Sequence, residues 1–102
     1  MLIGGDGWAF ELTGAEAEAL RTAVADLLAQ HGALSDQLMA EEAIELELER
    51  HPWWVALEGD RSCWSLRCLL TPGPSLRALE GGWTAAAALA FSQALQQLHG
   101  QP

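Results

Sequence analysis

Apolar and polar residues alternate over much of the segment from Ala43 to Trp83, and this pattern constrains the fold more than any other feature. The apolar positions form three series with a spacing of two residues: Ile44, Leu46 and Leu48; Trp53, Val55 and Leu57; and Trp64, Leu66, Cys68 and Leu70. Such alternation is typical of strands that bury one face. A fourth strand is predicted within SLRALEGGW, at residues 75–83. Short turn segments separate the four, so the sequence predicts an antiparallel meander.

A helical pattern precedes the predicted meander. Thr13 and Glu16 have the spacing of a capping box, and the apolar residues that follow recur on one helical face. Gly32 is a natural end for this helix, yet apolar residues continue the helical spacing beyond it. An end at Gly32 and a kinked extension to about Ala40 therefore both stay open.

The two ends of the chain add a hairpin and a second helix. Leu2-Ile3 predicts the end of one strand, GGDG a tight turn, and Trp8–Leu12 a short second strand. Thr84 can cap a C-terminal helix that runs through Leu98 and ends at Gly100. The sequence thus predicts a single α+β domain over residues 1–102: an antiparallel sheet of four to five strands with one helix before the meander and one C-terminal helix.

Composition narrows the function classes. The chain has 102 residues, of which half are apolar and five are tryptophan, so a folded domain is expected, and association into a homodimer would bury the apolar surplus. A formal charge of −9 repels phosphate backbones and anionic lipids at long range. Since neither a signal-peptide pattern nor an apolar run of about 20 residues occurs, we expect a cytoplasmic protein with no membrane contact.

The two cysteines, Cys63 and Cys68, fall on one predicted strand an odd number of positions apart. Their side chains should then point to opposite faces, too far apart for a disulfide. Free thiols in a reducing compartment are expected.

The apolar rows also predict the register of the sheet. If His51-Pro52 and Asp60-Arg61 are two-residue turns, one row contains Leu46, Leu57 and Trp64, and the next contains Leu48, Val55 and Leu66. The opposite face then carries Glu45, Glu47, Glu49, Trp54, Glu58, Ser65 and Arg67. Trp54 is out of phase with the other tryptophans and should lie beside Glu49 and Arg67, paired with the arginine by a cation–π contact or buried with it in a subunit contact. The predicted partner surface is Glu45, Glu47, Glu49, Trp54 and Arg67.

Several segments resemble a known family. GGDGWAFELT, LMAEEAIELELE, WWVALEGDRSCWSLRCLL and ALEGGW, in this order, resemble the cyanobacterial small proteins grouped as domain of unknown function 1818. The resemblance spans nearly the whole chain, and it implies a fold similar to that of the Whirly-type single-stranded-DNA-binding transcriptional regulators, with assembly by helix exchange. The family has no assigned reaction, so the resemblance implies no catalytic residues. Fold likeness alone does not transmit DNA binding.

No pattern in the sequence points to a catalytic, cofactor or metal site. Strand alternation spaces the glutamates of IELELER by about 7 Å, too far for three of them to hold one ion unaided. The histidines His31, His51 and His99 lack metal-binding spacing, and the serines lack a nucleophile elbow. We therefore expect no enzyme, but a binding or assembly module that acts through a protein partner. The alternative is single-stranded nucleic-acid binding, in which Trp54 would stack on a base.

Overall fold

The computed structural model describes residues 1–71 and 78–97. Its elements in chain order are β1 (Leu2–Gly5), β2 (Trp8–Glu11), α1 (Gly14–Ser35), β3 (Ile44–Arg50), β4 (Trp53–Gly59), β5 (Trp64–Leu70), β6 (Leu79–Trp83) and α2 (Ala85–Gln97). Strands β3 to β6 form an antiparallel meander in the order β3-β4-β5-β6, and β1 pairs with β2 in a separate hairpin. The predicted α+β class, with a helix before the meander and another after it, is confirmed.

The register between the strands agrees with the prediction in one pair and differs in the next. The observed cross-strand rows are Leu46, Leu57 and Leu66, and then Leu48, Val55 and Cys68. The pairing of β3 with β4 across the His51-Pro52 turn is as predicted. The pairing of β4 with β5 was predicted wrongly by two residues, because Trp64 lies opposite Gly59 rather than Leu57.

The turn between β4 and β5 explains this error. It contains Asp60 to Cys63, because the carboxylate of Asp60 accepts hydrogen bonds from the backbone N–H groups of Ser62 at 3.0 Å and Cys63 at 2.8 Å. The N–H of Asp60 also donates to the carbonyl oxygen of Cys63 at 2.9 Å. An aspartate that bonds its own backbone in this way favours a longer turn. A shift of two residues keeps every side chain on its predicted face.

The core lies between the inner face of the meander and the two helices. α1 packs on β3 and β4, while α2 packs on β5 and β6. Trp53 is the largest fully buried side chain, and its indole N–H donates to the carbonyl oxygen of Glu16 in α1 at 2.9 Å. This bond satisfies the polar atom of the buried indole.

Helix α1 begins as predicted and ends between the two positions that the sequence left open. The Thr13 hydroxyl accepts from the N–H of Glu16 at 3.1 Å, and the Glu16 carboxylate accepts from the N–H of Thr13 at 2.8 Å, which completes the capping box. The helix continues through Gly32 to Ser35. His31 fixes this last part, because it is buried and its Nε2 lies 3.0 Å from the carbonyl oxygen of Asp60.

The β1–β2 hairpin docks on β6 through two tryptophans. The indole N–H of Trp83 donates to the carbonyl oxygen of Gly4 at 2.8 Å, and that of Trp8 donates to the carbonyl oxygen of Gly82 at 3.3 Å. The Trp8 ring lies directly over Gly81, where an added Cβ would come within 2.6 Å of the ring. The predicted hairpin is therefore present, and it contacts the β6 edge of the sheet.

Helix α2 begins where it was predicted to begin. The N–H of Ala88 donates to the carbonyl oxygen of Thr84 at 2.7 Å, the first bond of the helix. The predicted end at Leu98 to Gly100, the residue His99 and the first part of the predicted fourth strand at 75–77 lie outside the described residues.

The cysteines are separated, although not both on a strand. Cys68 lies on β5 and is buried, as predicted for its apolar phase. Cys63 is exposed in the turn before β5, so its predicted position on the strand was wrong. Both are free thiols in the structure.

Candidate interaction surface

The side of the meander that points away from the helices is here called the outer face. Its members follow from strand alternation: Glu45, Glu47, Glu49, Trp54, Ala56, Glu58, Ser65, Arg67, Leu69, Glu80 and Gly82. The residues between them point to the core and are buried or half-buried, whereas the glutamates of the outer face are exposed. No described element covers this face. The predicted partner surface therefore lies on one continuous, solvent-facing sheet.

The centre of the outer face is a pair formed by Trp54 and Arg67. The guanidinium carbon of Arg67 lies 5.6 Å from the centroid of the Trp54 ring, within the range of a cation–π contact. The same guanidinium is 3.6 Å from the carboxylate of Glu80. Arg67 has Ala56 and Gly82 as its direct neighbours across the sheet. Because both neighbours are small, they leave space for the arginine to lie along the surface.

Two depressions flank this pair. The larger has a volume of about 390 Å³ and is lined by Glu49, Trp54, Arg67, Leu69, Thr71 and Glu80. The smaller, of about 30 Å³, lies between Trp54, Arg67 and Glu45 on the other side. Of the five residues predicted for the partner surface, Glu49, Trp54 and Arg67 line the larger depression and Glu45 lines the smaller one. Glu47 lies on the same face but lines neither depression.

Sequence reasoning missed three of the residues that line the larger depression, namely Leu69, Thr71 and Glu80. Leu69 is 39% exposed and occupies a position of β5 at which strand alternation predicts a polar residue. An apolar residue at that outward-facing position was therefore a signal that the sequence already contained. Glu80 stands opposite Leu69 on β6. Its place on the outer face depends on the register of β5 with β6, which the sequence did not define.

The outer face is strongly acidic. Five glutamates, namely Glu45, Glu47, Glu49, Glu58 and Glu80, accompany the single arginine Arg67. Glu45 and Glu58 stand directly opposite each other on β3 and β4. Like charges in directly opposed positions destabilise a sheet. A cationic partner would relieve this repulsion.

A second surface lies between the two helices. It is a groove of about 600 Å³ lined by Leu28, Trp64, Leu89, Ser92, Gln93, Gln96 and Gln97, none of which carries a charge. Leu89 on α2 is 50% exposed. This groove lies on the opposite side of the sheet from the outer face, and unlike that face it has no charged lining residue.

Within the described residues, no three His, Cys, Asp or Glu side chains gather closely enough to hold a metal ion. His51 lies in the turn between β3 and β4, while His31 is buried next to Trp64 with ring centroids 5.9 Å apart. Neither described helix has the length and hydropathy to span a membrane.

These features define a small α+β protein with two helices on one side of a meander and an uncovered acidic face on the other. The chain belongs to the family described as "Domain of unknown function (DUF1818)", which matches residues 1–98. The predicted membership is thus confirmed.

A solved structure has the same fold. It is described as a protein with unknown function from the DUF155 family of Prochlorococcus sp. NATL2A, and it is 38% identical to this chain with a TM-score of 0.89. The similarity covers 95% of this chain and 80% of that one. No curated protein matches the chain.

Proposed function

We propose that this protein is a non-catalytic binding module that recognises a basic region of a protein partner through its outer face. The observation that carries the proposal is the Trp54–Arg67 pair, which lies in the centre of an uncovered sheet among five glutamates. Tryptophan and arginine are the residue types that most often dominate binding energy at protein interfaces. The surrounding carboxylates would steer a basic partner and fix its orientation.

Homodimer formation is the second part of the proposal. Two outer faces would repel each other, since each brings five glutamates and one arginine, so burial of Trp54 and Arg67 in a subunit contact is disfavoured. The groove around Leu89 has no charged lining residue, and the half-exposed leucine would gain burial against a second copy. This arrangement would leave both outer faces of the dimer free for partners.

A non-catalytic role is supported by the state of two buried side chains, Cys68 and His31. Burial raises the pKa of the Cys68 thiol to about 12, so it stays protonated and weakly nucleophilic at neutral pH. The Nε2 atom of His31 is engaged by the carbonyl oxygen of Asp60. Two free thiols also suit a reducing cytoplasm, which is where we expect the protein to act.

Single-stranded nucleic-acid binding is the alternative function. It is favoured by the half-buried ring of Trp54 on an open sheet and by the resemblance to Whirly-type regulators. It is opposed by the charge of −9 and by the glutamates around that ring. The protein-binding proposal is preferred because the charge that opposes nucleic acid would attract a basic protein.

The proposal is tested by affinity capture from native extract with the tagged chain, followed by binding measurements with each purified candidate. Trp54→Ala should lose the specific partner, while Leu34→Ala should retain it. Leu34 is a matched control because it is 38% exposed and lies at the end of α1, away from the outer face. A partner bound equally by both variants would contradict the proposed site.

The dimer is tested separately by light scattering coupled to size exclusion. The wild-type chain should have twice the chain mass at micromolar concentration, and Leu89→Arg should be a monomer, because an arginine cannot be buried unpaired in the contact. Trp54→Ala should remain a dimer. A monomeric wild-type protein at every concentration would overturn this part of the proposal.

A further inference from the structure

We propose that the partner binds as an extended strand that adds to the free edge of the meander at β3, antiparallel to it, with basic residues opposite Glu45, Glu47 and Glu49. The inference rests on the proposed function, because it assigns the partner's conformation and chemistry at the same face. Strand addition to an exposed sheet edge is a recurrent mode of peptide recognition.

The first observation is that β3 has one open edge. Among the described residues it pairs with β4 alone and occupies the end of the order β3-β4-β5-β6. The other end of the sheet, β6, is contacted by the β1–β2 hairpin through Trp8 and Trp83. The seven residues of β3 are long enough to template another strand.

The second observation is the direction of the backbone groups. The N–H of Thr71 donates to the carbonyl oxygen of Pro52 at 2.7 Å, so the even-numbered residues of β4 direct their polar backbone atoms toward β5. Its odd-numbered residues, which lie opposite Ile44, Leu46, Leu48 and Arg50, must then bond to β3. The backbone N–H and C=O groups of Glu45, Glu47 and Glu49 therefore point outward from the edge.

Side-chain positions define what the added strand must contain. Glu45, Glu47 and Glu49 project on the outer face, so the residues opposite them should be lysine or arginine. Ile44, Leu46 and Leu48 point to the inner face but are only half-buried. Apolar residues at the intervening positions of the partner would complete their burial. The occupant is thus a strand in which basic and apolar residues alternate.

A second copy of β3 does not meet this requirement. Edge-to-edge pairing of two such strands would align glutamates with glutamates along the seam. Charged side chains on an edge are a common device against self-pairing. The same three carboxylates that prevent this association select a basic strand of another protein.

The test uses a fluorescent peptide of about nine residues in which lysine and valine alternate, with fluorescence anisotropy as the measurement. N-methylation of the three lysine amides that would face β3 should weaken binding about tenfold or more, because three hydrogen bonds are lost. The isomer methylated on three valine amides should bind like the parent peptide, since those amides point away from the sheet. This isomer has the same composition and is a matched control.

Protein variants test the charge requirement. The triple variant Glu45→Gln, Glu47→Gln, Glu49→Gln should lose the peptide, while Asp6→Asn, Asp36→Asn, Glu41→Gln should retain it. The control removes the same charge from exposed positions outside the outer face. Hydrogen exchange adds a direct readout: the amides of Glu45, Glu47 and Glu49 should exchange fast in the free protein and slowly in the complex.

The outcomes separate the two proposals. Equal binding of both methylated isomers, with loss in the glutamate variant, would overturn strand addition and leave recognition of basic partners through the outer face intact. Slow exchange of the outward amides in the free protein would also overturn it, because the edge would then be covered already. A peptide that does not bind at all would overturn the inference, whereas the proposed function would fail only if the captured partner were indifferent to Trp54→Ala.

Discussion

Trp53 and Trp54 are adjacent in sequence but lie on opposite faces of the same strand. Trp53 is 0% exposed, and its indole N–H donates a hydrogen bond to the carbonyl oxygen of Glu16. Trp54 lies half-buried on the outer face beside Arg67. Strand alternation alone produces this division. One tryptophan of the pair therefore belongs to the core, and its neighbour is available to a partner.

This relationship predicts opposite effects for the two substitutions. Trp53→Ala should lower the free energy of unfolding by about 3–5 kcal/mol, because it removes a fully buried ring and leaves a cavity. Trp54→Ala should cost less, about 1–2 kcal/mol, since it removes a cation–π contact and the packing of a ring that is only half-buried. Chemical denaturation with purified variants measures both. A Trp54→Ala variant as unstable as Trp53→Ala would contradict the assignment of the faces.

The side-chain faces of the meander were predictable because they depend on a local property, the period of two. The register across β4 and β5 was not predictable to the residue, because it depends on whether the Asp60 carboxylate bonds the backbone of Ser62 and Cys63. A two-residue turn and a four-residue turn leave the same side chains on the same faces. The candidate surface was therefore identified although one of its rows was misaligned.

The residues that complete the larger depression depend on long-range pairing. Glu80 reaches the outer face beside Leu69 because β6 pairs with β5 in a register that only the folded structure reveals. Similarly, α1 passes Gly32 because His31 packs against Trp64 and Asp60, which are about thirty residues away along the chain. Tertiary contacts of this kind override the local tendency of glycine to end a helix.

Two glycine substitutions should change the stability of the protein in opposite directions. Gly81→Ala would place a Cβ within 2.6 Å of the Trp8 ring, so the hairpin must shift and the variant should lose about 1–3 kcal/mol of stability. Gly32→Ala meets nothing within 4 Å and lies inside α1, so it should gain up to about 1 kcal/mol. Thermal unfolding of both variants beside the wild-type protein checks the pair. Stabilisation by Gly81→Ala would mean that Trp8 does not lie on β6.

The two thiols should differ in reactivity. Cys63 is exposed, whereas Cys68 is 2% exposed and burial raises its pKa to about 12. Alkylation without reductant should label one site rapidly, and Cys63→Ser should abolish that labelling in the folded protein. Intact mass before and after addition of denaturant measures the two stages. A linked Cys63–Cys68 peptide would contradict the structure of the turn and of β5.

The contribution of Asp60 to the stability of the protein should depend on pH. Hydrogen bonds from the backbone N–H groups of Ser62 and Cys63 lower the pKa of its carboxyl group from the ordinary value. Because this pKa is lower in the folded than in the unfolded state, the ionised carboxylate stabilises the fold. The stabilisation is complete above the unfolded-state pKa of about 3.9, and it is lost as the pH falls from there through the pKa of the folded state. The stability difference between wild type and Asp60→Asn should therefore shrink on acidification from pH ~5 to pH ~3. A difference that grows in acid would contradict the assigned hydrogen bonds.

Generic single-stranded DNA should not bind to this protein at physiological salt. The charge of −9 removes long-range attraction, and Glu49 stands directly opposite Trp54 on the neighbouring strand, where it would face the phosphates. Stacking of one base on Trp54 contributes about 1–3 kcal/mol, which alone corresponds to millimolar affinity or weaker. Fluorescence anisotropy with a labelled oligonucleotide of about 30 nucleotides should therefore stay flat to tens of micromolar protein at about 150 mM salt. Micromolar binding that weakens with added salt and disappears in Trp54→Ala or Arg67→Ala would instead favour the nucleic-acid function, because only a stacked and phosphate-paired complex depends on both side chains.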